Sequence, residues 1–256
     1  MKRLFAHLDE VRARVLKSGA VVMLDFDGTL APLKPEPRHG RMSASMRRAL
    51  EKCSARFPAA VITGRALDDV RTHVRARRIS VAGNHGLEWF VNGKRGIANV
   101  PRPAERALSK IRNLLRALED RYQGVYLEDK RHSLSIHFRH ARSRRHAIER
   151  EVQDAVRRAG AKHLRVMGGI FIFNVLPRAG WDKGRASKAM YVRLRTAPRS
   201  IPIFVGDDIT DEDAFRALRR GITVHVKNGK KVRTAANYSV RDVEEVRKFL
   251  LWLSRL

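Results

Sequence analysis

Val21-Val22-Met23-Leu24-Asp25-Phe26-Asp27-Gly28-Thr29-Leu30 is an apolar run that stops at two carboxylates and then breaks at a glycine. Residues i and i+2 of an extended strand point to the same side, so Asp25 and Asp27 can serve one site just past the strand end. Two carboxylates at close range repel each other, and a cation between them relieves the repulsion. A strand that ends in an ordinary turn is the simpler alternative. Because oxygen ligands suit Mg²⁺, the stretch predicts a magnesium site at the end of a buried strand.

Short apolar runs alternate with helical patterns toward both ends of the chain. The predicted strands are Ala20–Leu24, Ala59–Ile62, Ile79–Ala82, Ile201–Val205 and Ile222–Val226. The predicted helices are Ser43–Ser54, Leu67–Arg77, Lys183–Arg195, Asp211–Arg219 and Asp242–Leu256. Continuous apolar strands separated by helices favour an α/β fold with a parallel sheet covered on both faces. The active site of such a sheet lies beyond the C-terminal ends of its strands.

The middle of the chain has a different order of elements. Helical patterns cover Ala104–Leu118 and His140–Arg158, and strand patterns cover Gly124–Leu127, Leu134–Phe138, Leu164–Met167 and Ile170–Leu176. The last two strands flank Gly168-Gly169, which predicts a hairpin. The order αββαββ indicates a small sheet with two helices on one face, and prolines punctuate both of its ends. We therefore expect an α+β domain at 102–177, inserted into an α/β core formed by 1–101 and 178–256.

The composition is that of a globular protein with an ample core, since 43% of the 256 residues are hydrophobic. No stretch approaches the roughly 20 apolar residues of a membrane span. Met1–Lys17 is expected to be an amphipathic helix, and it lacks the continuous apolar core of a signal peptide. Cys53 is the only cysteine, which excludes an intrachain disulfide and a cysteine zinc site. Together these features favour the cytoplasm.

The net charge of +28 would attract nucleic acid, anionic membranes or phosphorylated substrates. The excess is spread along the chain, because residues 104–176 hold 16 basic and 8 acidic residues, the same density as the whole. The densest run, Arg142 to His146, lies at the start of a predicted helix. We interpret the excess of basic residues as a general feature of the amino-acid composition of the source rather than as a binding patch. We expect no membrane partner and no specific nucleic-acid partner.

Two further strings place polar groups at a strand end and at a helix start. In Ala59-Ala60-Val61-Ile62-Thr63-Gly64-Arg65, the Thr63 hydroxyl and the backbone N–H groups could hold a phosphoryl oxygen. Arg65 could reach a phosphate or brace the loop. In Trp181-Asp182-Lys183-Gly184, a lysine at a helix start works against the helix dipole, which is tolerated when the ammonium faces anions.

The fourth string, Phe204-Val205-Gly206-Asp207-Asp208-Ile209-Thr210-Asp211-Glu212-Asp213-Ala214-Phe215, crowds five acids into a strand-to-helix turn. Acids in the first turn of a helix suit its dipole, which accounts for Glu212 and Asp213. Asp207 and Asp208 directly follow the strand, where a metal ion would lie. In so basic a protein, this acidic cluster indicates a cation site.

In their order along the chain, these strings resemble the four motifs of the haloacid-dehalogenase superfamily of phosphatases, whose core is Rossmann-like. More narrowly, the chain resembles the trehalose-6-phosphate phosphatase family from about residue 20 to residue 240. The strings that carry this resemblance are Asp-Phe-Asp-Gly-Thr-Leu-Ala-Pro (25–32), Thr-Gly-Arg (63–65), Asn-His-Gly (84–86), Glu-Asp-Lys (128–130), His-Phe-Arg (137–139) and Gly-Asp-Asp-Ile-Thr-Asp-Glu-Asp-Ala-Phe (206–215).

The resemblance implies a two-step transfer of a phosphoryl group. Asp25 would be the nucleophile that forms an aspartyl-phosphate, and Asp27 the general acid and base. Thr63 and Lys183 would bind the phosphoryl group and neutralise its charge. The family usually has serine where this chain has Thr63, but the hydroxyl is kept.

The resemblance also implies how Mg²⁺ is bound. The carboxylates of Asp25 and Asp207 and the backbone carbonyl of Asp27 would hold the ion. Asp208, together with Asp211, would act around the ion outside its direct ligands.

Recognition of the sugar is implied for the 102–177 domain, which would cap the site and exclude water during phosphoryl transfer. The residues that the resemblance assigns to substrate binding are Arg65, His85, Glu128, Lys130, Arg139 and Asn174. Charge-assisted hydrogen bonds from such groups orient sugar hydroxyls. The family usually has a glutamate near Asn174, where this chain offers an uncharged amide.

The expected activity is hydrolysis of trehalose 6-phosphate, a small-molecule sugar phosphate, to trehalose and phosphate. A trehalose-6-phosphate synthase would be its neighbour in the pathway. One alternative is a phosphatase for another sugar phosphate, such as sucrose phosphate or a glycosylglycerol-type phosphate, which Asn174 keeps open. The other is a basic nucleic-acid-binding protein on a degenerate phosphatase fold, against which the intact set of acids, Thr63 and Lys183 argues.

Overall fold

The computed structural model describes residues 1–34, 40–75, 78–169, 171–229 and 232–256. These residues form two compact units. Met1–Ile97 and Trp181–Leu256 form the core unit, and Ala98–Gly180 forms the inserted unit. The inserted unit extends a few residues beyond 102–177 at each end.

Strands and helices alternate along the core unit, and the inserted unit has its own set. The strands are β1 (Lys2–Arg3), β2 (Ala20–Leu24), β3 (Ala59–Ile62), β4 (Ile79–Gly83), β5 (Glu88–Val91), β6 (Lys94–Ile97), β7 (Tyr126–Asp129), β8 (Leu134–His137), β9 (Leu164–Gly169), β10 (Ile172–Pro177), β11 (Ile201–Gly206), β12 (Ile222–Val226) and β13 (Tyr238–Val240). The helices are α1 (Leu8–Ser18), α2 (Ala44–Arg56), α3 (Leu67–His73), α4 (Arg102–Arg121), α5 (Arg145–Gly160), α6 (Lys183–Leu194), α7 (Asp211–Ala217) and α8 (Val243–Leu253).

The core unit is built on one sheet with the strand order β1-β13-β12-β11-β2-β3-β4-β5-β6. Neighbouring strands from β1 to β4 in this order are parallel, and β5 and β6 are added antiparallel. Alternate residues of the central strand β2 enter different apolar clusters: Val22 and Leu24 pack with α1, α2 and α8, whereas Val21 and Met23 pack with α6 and α7. Both faces of the sheet are therefore covered, and the predicted α/β class is confirmed.

The N-terminal segment differs from the single helix predicted over Met1–Lys17. Lys2–Arg3 pairs in parallel with β13, a 3₁₀ turn follows at Leu4–Ala6, and α1 begins only at Leu8. The apolar residues of the predicted amphipathic pattern do face the core, since Leu4, Val11 and Val15 are buried. The backbone of the first residues is nevertheless extended because it completes the edge of the sheet, a long-range pairing that a local period does not reveal.

The hairpin of β5 and β6 was not predicted. Its two strands are joined at Asn92 and Gly93, which both have positive φ values, 50° and 79°. Asn-Gly at a two-residue connection with this geometry is a strong short-range hairpin signal, so the information was present in the sequence. The short strand β13 was also missed.

The inserted unit is a four-stranded antiparallel sheet with the order β7-β8-β10-β9. Helices α4 and α5 pack on it through a separate apolar cluster that includes Ile111, Ile136, Val152 and Phe173. The elements follow the predicted αββαββ order, but a 3₁₀ segment, Arg139–Arg144, replaces the first turns of the helix predicted from His140. The unit therefore has a hydrophobic core of its own.

Two predicted elements extend into residues outside the described ranges. These are the end of the helix predicted over Leu67–Arg77, at residues 76–77, and the first residue of the strand predicted over Ile170–Leu176. Among the helices that the structure describes, none combines the length and the apolar character needed to cross a membrane.

Close packing of α6 on α7 gives a test of the core. A Cβ atom at Gly184 would overlap the backbone carbonyl oxygen of Asp213. We expect Gly184→Ala to lower the free energy of unfolding by about 1–3 kcal/mol, because backbone atoms have to move apart. The matched control is Gly168→Ala, whose Cβ would lie 3.8 Å from the Phe173 ring, an ordinary contact. Urea unfolding measures both variants, and equal losses would contradict this packing argument.

Candidate active site

The polar strings meet at one edge of the large sheet. Asp25 follows β2, Thr63 follows β3, Asp207 follows β11, and Lys183 begins α6. Since β2, β3 and β11 are parallel neighbours, their carboxyl ends lie side by side. The sequence places these four residues up to 182 positions apart, and the sheet gathers the loops that carry them.

The loop after β2 is a tight turn. Asp25 N–H donates to the Val205 carbonyl at 2.9 Å, and Gly28 N–H donates to the Ala31 carbonyl at 2.7 Å. Gly28 has a φ of +78°, and a Cβ there would overlap the carboxylate of Asp207. Glycine is thus required twice at this position, for its backbone angle and for the close approach of the acid.

Three buried carboxylates and one ammonium form the centre of the site. One ligand oxygen from each of Asp25, Asp207 and Asp211 lies within 4.8 Å of the others. Lys183 Nζ lies 2.7 Å from Asp25 Oδ1 and 2.6 Å from Asp211 Oδ1. All four side chains are buried.

The charges in this cluster do not balance. Burial raises the pKa of Asp25 well above its ordinary value, and the Asp211 and Asp207 carboxylates add to this against the opposing charge of Lys183. Burial acts to lower the pKa of Lys183, but Asp211 and Asp25 outweigh it and the pKa lies above its ordinary value. Three acids facing one fixed ammonium leave an excess of negative charge. An all-oxygen donor set with this excess suits a hard divalent cation.

Asp211 organises the turn that precedes it. Its Oδ2 accepts hydrogen bonds from the backbone N–H groups of Asp207 and Asp208, both at 2.9 Å. A Cβ at Gly206 would overlap the Asp211 carboxylate, so glycine leaves room for it. The side chain of Asp208 is exposed and is not part of the carboxylate cluster. Asp211 is thus one of the three clustered carboxylates, whereas Asp208 is exposed to solvent.

Asp27 is held apart from the cluster by Arg65. Arg65 Nε and Nη2 donate to the two carboxylate oxygens of Asp27, each at 2.7 Å, and Nη1 donates to Asp69 at 3.0 Å. The guanidinium is buried and lies 4.8 Å from the centre of the Phe26 ring. Such a bidentate pair fixes the orientation of a carboxylate as well as its charge. Of the two roles weighed for Arg65, bracing the loop fits this geometry.

Thr63 and His85 belong to neighbouring loops that are tied together. The Arg65 N–H donates to the Thr63 hydroxyl oxygen at 3.2 Å, and the His85 N–H donates to the Thr63 carbonyl at 3.0 Å. A Cβ at Gly64 would lie 2.6 Å from the His85 ring. His85 has a φ of 57° and its predecessor Asn84 a φ of 53°, a conformation uncommon for residues other than glycine. The His85 side chain is buried against the Thr63 loop.

In the inserted unit, three of the predicted substrate-binding residues share one side of the sheet. Glu128 is in register with Ser135, and Ser135 is in register with Asn174. The Ser135 hydroxyl donates to Asn174 Oδ1 at 2.6 Å, and Lys130 Nζ lies 3.4 Å from Glu128 Oε2. The guanidinium of Arg139, also predicted to bind substrate, lies 4.7 Å from the centre of the Phe171 ring.

One residue of the site was not singled out from the sequence. The amide of Asn228, in the loop after β12, donates to the Gly28 carbonyl at 2.8 Å and to Asp207 Oδ2 at 3.3 Å. Its φ of 44° is positive. The sequence indicates Asn228 only through its position two residues after a predicted strand of the parallel sheet. The loops that follow such strands all lie at the same edge of the sheet.

The chain is similar to known phosphatases along most of its length. A family model described as trehalose-phosphatase matches residues 23–244. The chain is 33% identical over 249 residues to Trehalose 6-phosphate phosphatase RA3 of Zea mays, a match that covers 90% of this chain and 68% of that protein. It is 31% identical to Trehalose-phosphate phosphatase B of Arabidopsis thaliana, a match that covers 94% of this chain and 68% of that protein. The fold is similar to that of the C. albicans Trehalose-6-phosphate phosphatase C-terminal domain, with a TM-score of 0.80 and 20% sequence identity. The superposition covers 97% of this chain and 96% of that domain.

Replacing the central ammonium tests the charge balance. We expect Lys183→Met to lower the free energy of unfolding by about 3–5 kcal/mol at pH 8 in a chelating buffer, because buried carboxylates lose their partner. The control, Lys188→Met, removes an exposed lysine from the same helix and should have little effect.

The loss of unfolding free energy caused by Lys183→Met should become smaller as the pH is lowered toward 5. A carboxyl group whose pKa is raised on folding, as that of Asp25 is, binds protons more readily in the native state than in the unfolded state. In the wild type the charge of Lys183 opposes this rise, so the pKa of Asp25 should rise further in the variant, whose free energy of unfolding then falls more steeply with increasing pH. Urea unfolding at both pH values measures this, and a pH-independent loss would contradict the charge argument.

Proposed function

The chain belongs to the trehalose-phosphatase family, and from that membership we propose that it hydrolyses trehalose 6-phosphate to trehalose and inorganic phosphate. The single observation that carries the proposal within the molecule is the buried lysine that joins Asp25 to Asp211 at the edge of the parallel sheet. A degenerate, purely nucleic-acid-binding protein would have no need to keep so costly an arrangement of buried charges.

Asp25 is the proposed nucleophile. A bond forms between its carboxylate oxygen and phosphorus while the bond between phosphorus and the sugar oxygen breaks, and the departing oxygen takes a proton from Asp27. In the second half, Asp27 takes a proton from a water molecule whose oxygen attacks phosphorus, which releases Asp25 and inorganic phosphate. Both oxygens of Asp27 accept hydrogen bonds from Arg65 in the structure, so the oxygen that carries the proton has to release its contact with the guanidinium before each transfer.

Lys183 and Thr63 are the proposed phosphoryl-binding groups. The ammonium of Lys183 is fixed by two carboxylates and can offer its remaining N–H to a phosphoryl oxygen. The Thr63 hydroxyl accepts a hydrogen bond from the Arg65 N–H, which leaves its own proton for donation. Preorganised donors of this kind stabilise the charge that develops in phosphoryl transfer without reorganising during the step.

Mg²⁺ is the proposed cofactor, because the donor set contains only oxygens and carries excess negative charge. The carboxylates of Asp25 and Asp207 and the carbonyl of Asp27 would hold it. When bound, the ion would neutralise the carboxylates and polarise the phosphoryl group. Asp211 would act indirectly, through its hydrogen bonds to the turn that carries Asp207. The exposed Asp208 would act outside the direct ligands.

The inserted unit is proposed to recognise the sugar and to act as a cap. Glu128, Lys130 and Asn174 offer a carboxylate, an ammonium and an amide on one side of its sheet. We also propose that the reaction takes place in the cytoplasm, next in the pathway to a trehalose-6-phosphate synthase. Asn174 is the one observation that favours a second candidate, a phosphatase for a different sugar phosphate, because its oxygen is already engaged by Ser135.

A panel of substrates tests the proposed function. Phosphate release is measured with trehalose 6-phosphate, sucrose 6-phosphate, glucose 6-phosphate and glycerol 1-phosphate, each with Mg²⁺ and with a chelator. We expect kcat/KM for trehalose 6-phosphate to exceed that for glucose 6-phosphate by at least about tenfold, since a second sugar adds binding contacts. Chelation should abolish turnover, and added Mg²⁺ should restore it. Equal rates on the two substrates would refute the assignment, and a clear preference for sucrose 6-phosphate would support the second candidate.

Asp25→Asn tests the nucleophile. An amide cannot form the aspartyl-phosphate, so we expect kcat to fall by about 10⁴-fold or more. Asp9→Asn makes the same chemical change at an exposed position in α1 and should leave kcat unchanged. Circular dichroism should show that both variants keep the fold. Substantial residual turnover by Asp25→Asn would assign the nucleophile to another residue.

A further inference from the structure

One side of the small sheet carries an aromatic pair beside the polar residues already described. Tyr126 is in register with His137, one row along from the pair Glu128 and Ser135. Because side chains alternate along a strand, Tyr126, Glu128, Ser135, His137 and Asn174 share one side of the sheet, which we call the polar face. The intervening residues, such as Leu127 and Ile136, belong to the apolar cluster under α4 and α5.

Tyr126 is an exposed aromatic residue on the polar face. The residue is 52% exposed, and it is the one aromatic residue among the exposed large hydrophobic residues in the described part of the chain. Its ring is stacked on the His137 ring, with the centroids 5.6 Å apart and the planes at 27°. The pair therefore presents a flat, partly apolar surface that the hydrophobic core of the unit does not use.

The second ring of the pair is held in place by a carboxylate. His137 Nε2 lies 2.9 Å from Glu128 Oε2 and donates the hydrogen bond, because an ionised carboxylate can only accept. Burial acts to raise the pKa of Glu128, but the hydrogen bond from His137 and the charge of Lys130 outweigh it and leave the pKa below its ordinary value. A charged acceptor thus lies directly beside the stacked rings.

We infer that Tyr126 and His137 form a stacking platform for a pyranose ring of the substrate, with Glu128 and Asn174 beside it for the hydroxyl groups. The inference rests on the proposed function and extends it to two residues that determine specificity. A pyranose has an apolar face of C–H groups and a rim of hydroxyls. An aromatic surface flanked by a few fixed polar groups matches both parts, as is usual in sites for small molecules. Tyr126 supplies contact area and His137 orients the rings.

Two variants of Tyr126 test the platform. We expect Tyr126→Ala to raise KM for trehalose 6-phosphate by about tenfold, the size of an aromatic contact, with kcat nearly unchanged. Tyr126→Phe keeps the ring and should retain the wild-type KM. Glycerol 1-phosphate has no sugar ring, so its kcat/KM should be the same in all three proteins. Calorimetric titration with trehalose should show the same loss of affinity without turnover.

The matched control is Leu114→Ala. Leu114 lies on α4 in the same unit and is 44% exposed, so truncating it removes a comparable exposed side chain away from the polar face. It should change neither KM nor trehalose binding. An unchanged KM in Tyr126→Ala, or equal losses on trehalose 6-phosphate and glycerol 1-phosphate, would overturn the platform while leaving the proposed function intact. A wild-type protein with no preference for trehalose 6-phosphate over glycerol 1-phosphate would overturn both.

Discussion

The ammonium of Lys183, buried between the carboxylates of Asp25 and Asp211, is the interaction on which the site depends. It joins the loop after β2, the start of α6 and the start of α7, which are far apart in sequence. The glycines nearby serve the same arrangement, because Gly184 lets α6 approach α7 and Gly206 leaves room for the Asp211 carboxylate. Buried charges of this kind add little to stability, so their value lies in what they bind and position.

A second ion pair separates the two aspartates of the opening string. Asp25 belongs to the buried cluster, whereas both carboxylate oxygens of Asp27 are held by Arg65. Two chemically identical side chains, two positions apart, thus receive different environments. Divergent environments are what allow one carboxylate to act as a nucleophile and its neighbour to carry protons.

The sequence was sufficient for much of the fold and for the candidate chemical groups, because apolar strands that end in polar residues share one edge of a parallel sheet. It could not show that Arg65 pairs with Asp27, since this depends on the spacing of two loops from adjacent strands. It placed Asp208 and Asp211 alike around the ion, because only the geometry of the helix start shows that Asp211 is buried and Asp208 is exposed. The edge strand β1 was missed because its partner, β13, lies at the far end of the chain.

The inserted unit has its own apolar core and contains none of the residues assigned to phosphoryl transfer. Evolution can therefore change the polar face without disturbing the carboxylates and the lysine of the core unit. Asn174 illustrates such freedom, since its amide is one of the polar groups on that face and is separate from the apolar core beneath it. Divergence within the family should thus accumulate in substrate preference faster than in chemistry, and exchanging the unit between relatives offers a direct route to new phosphatases.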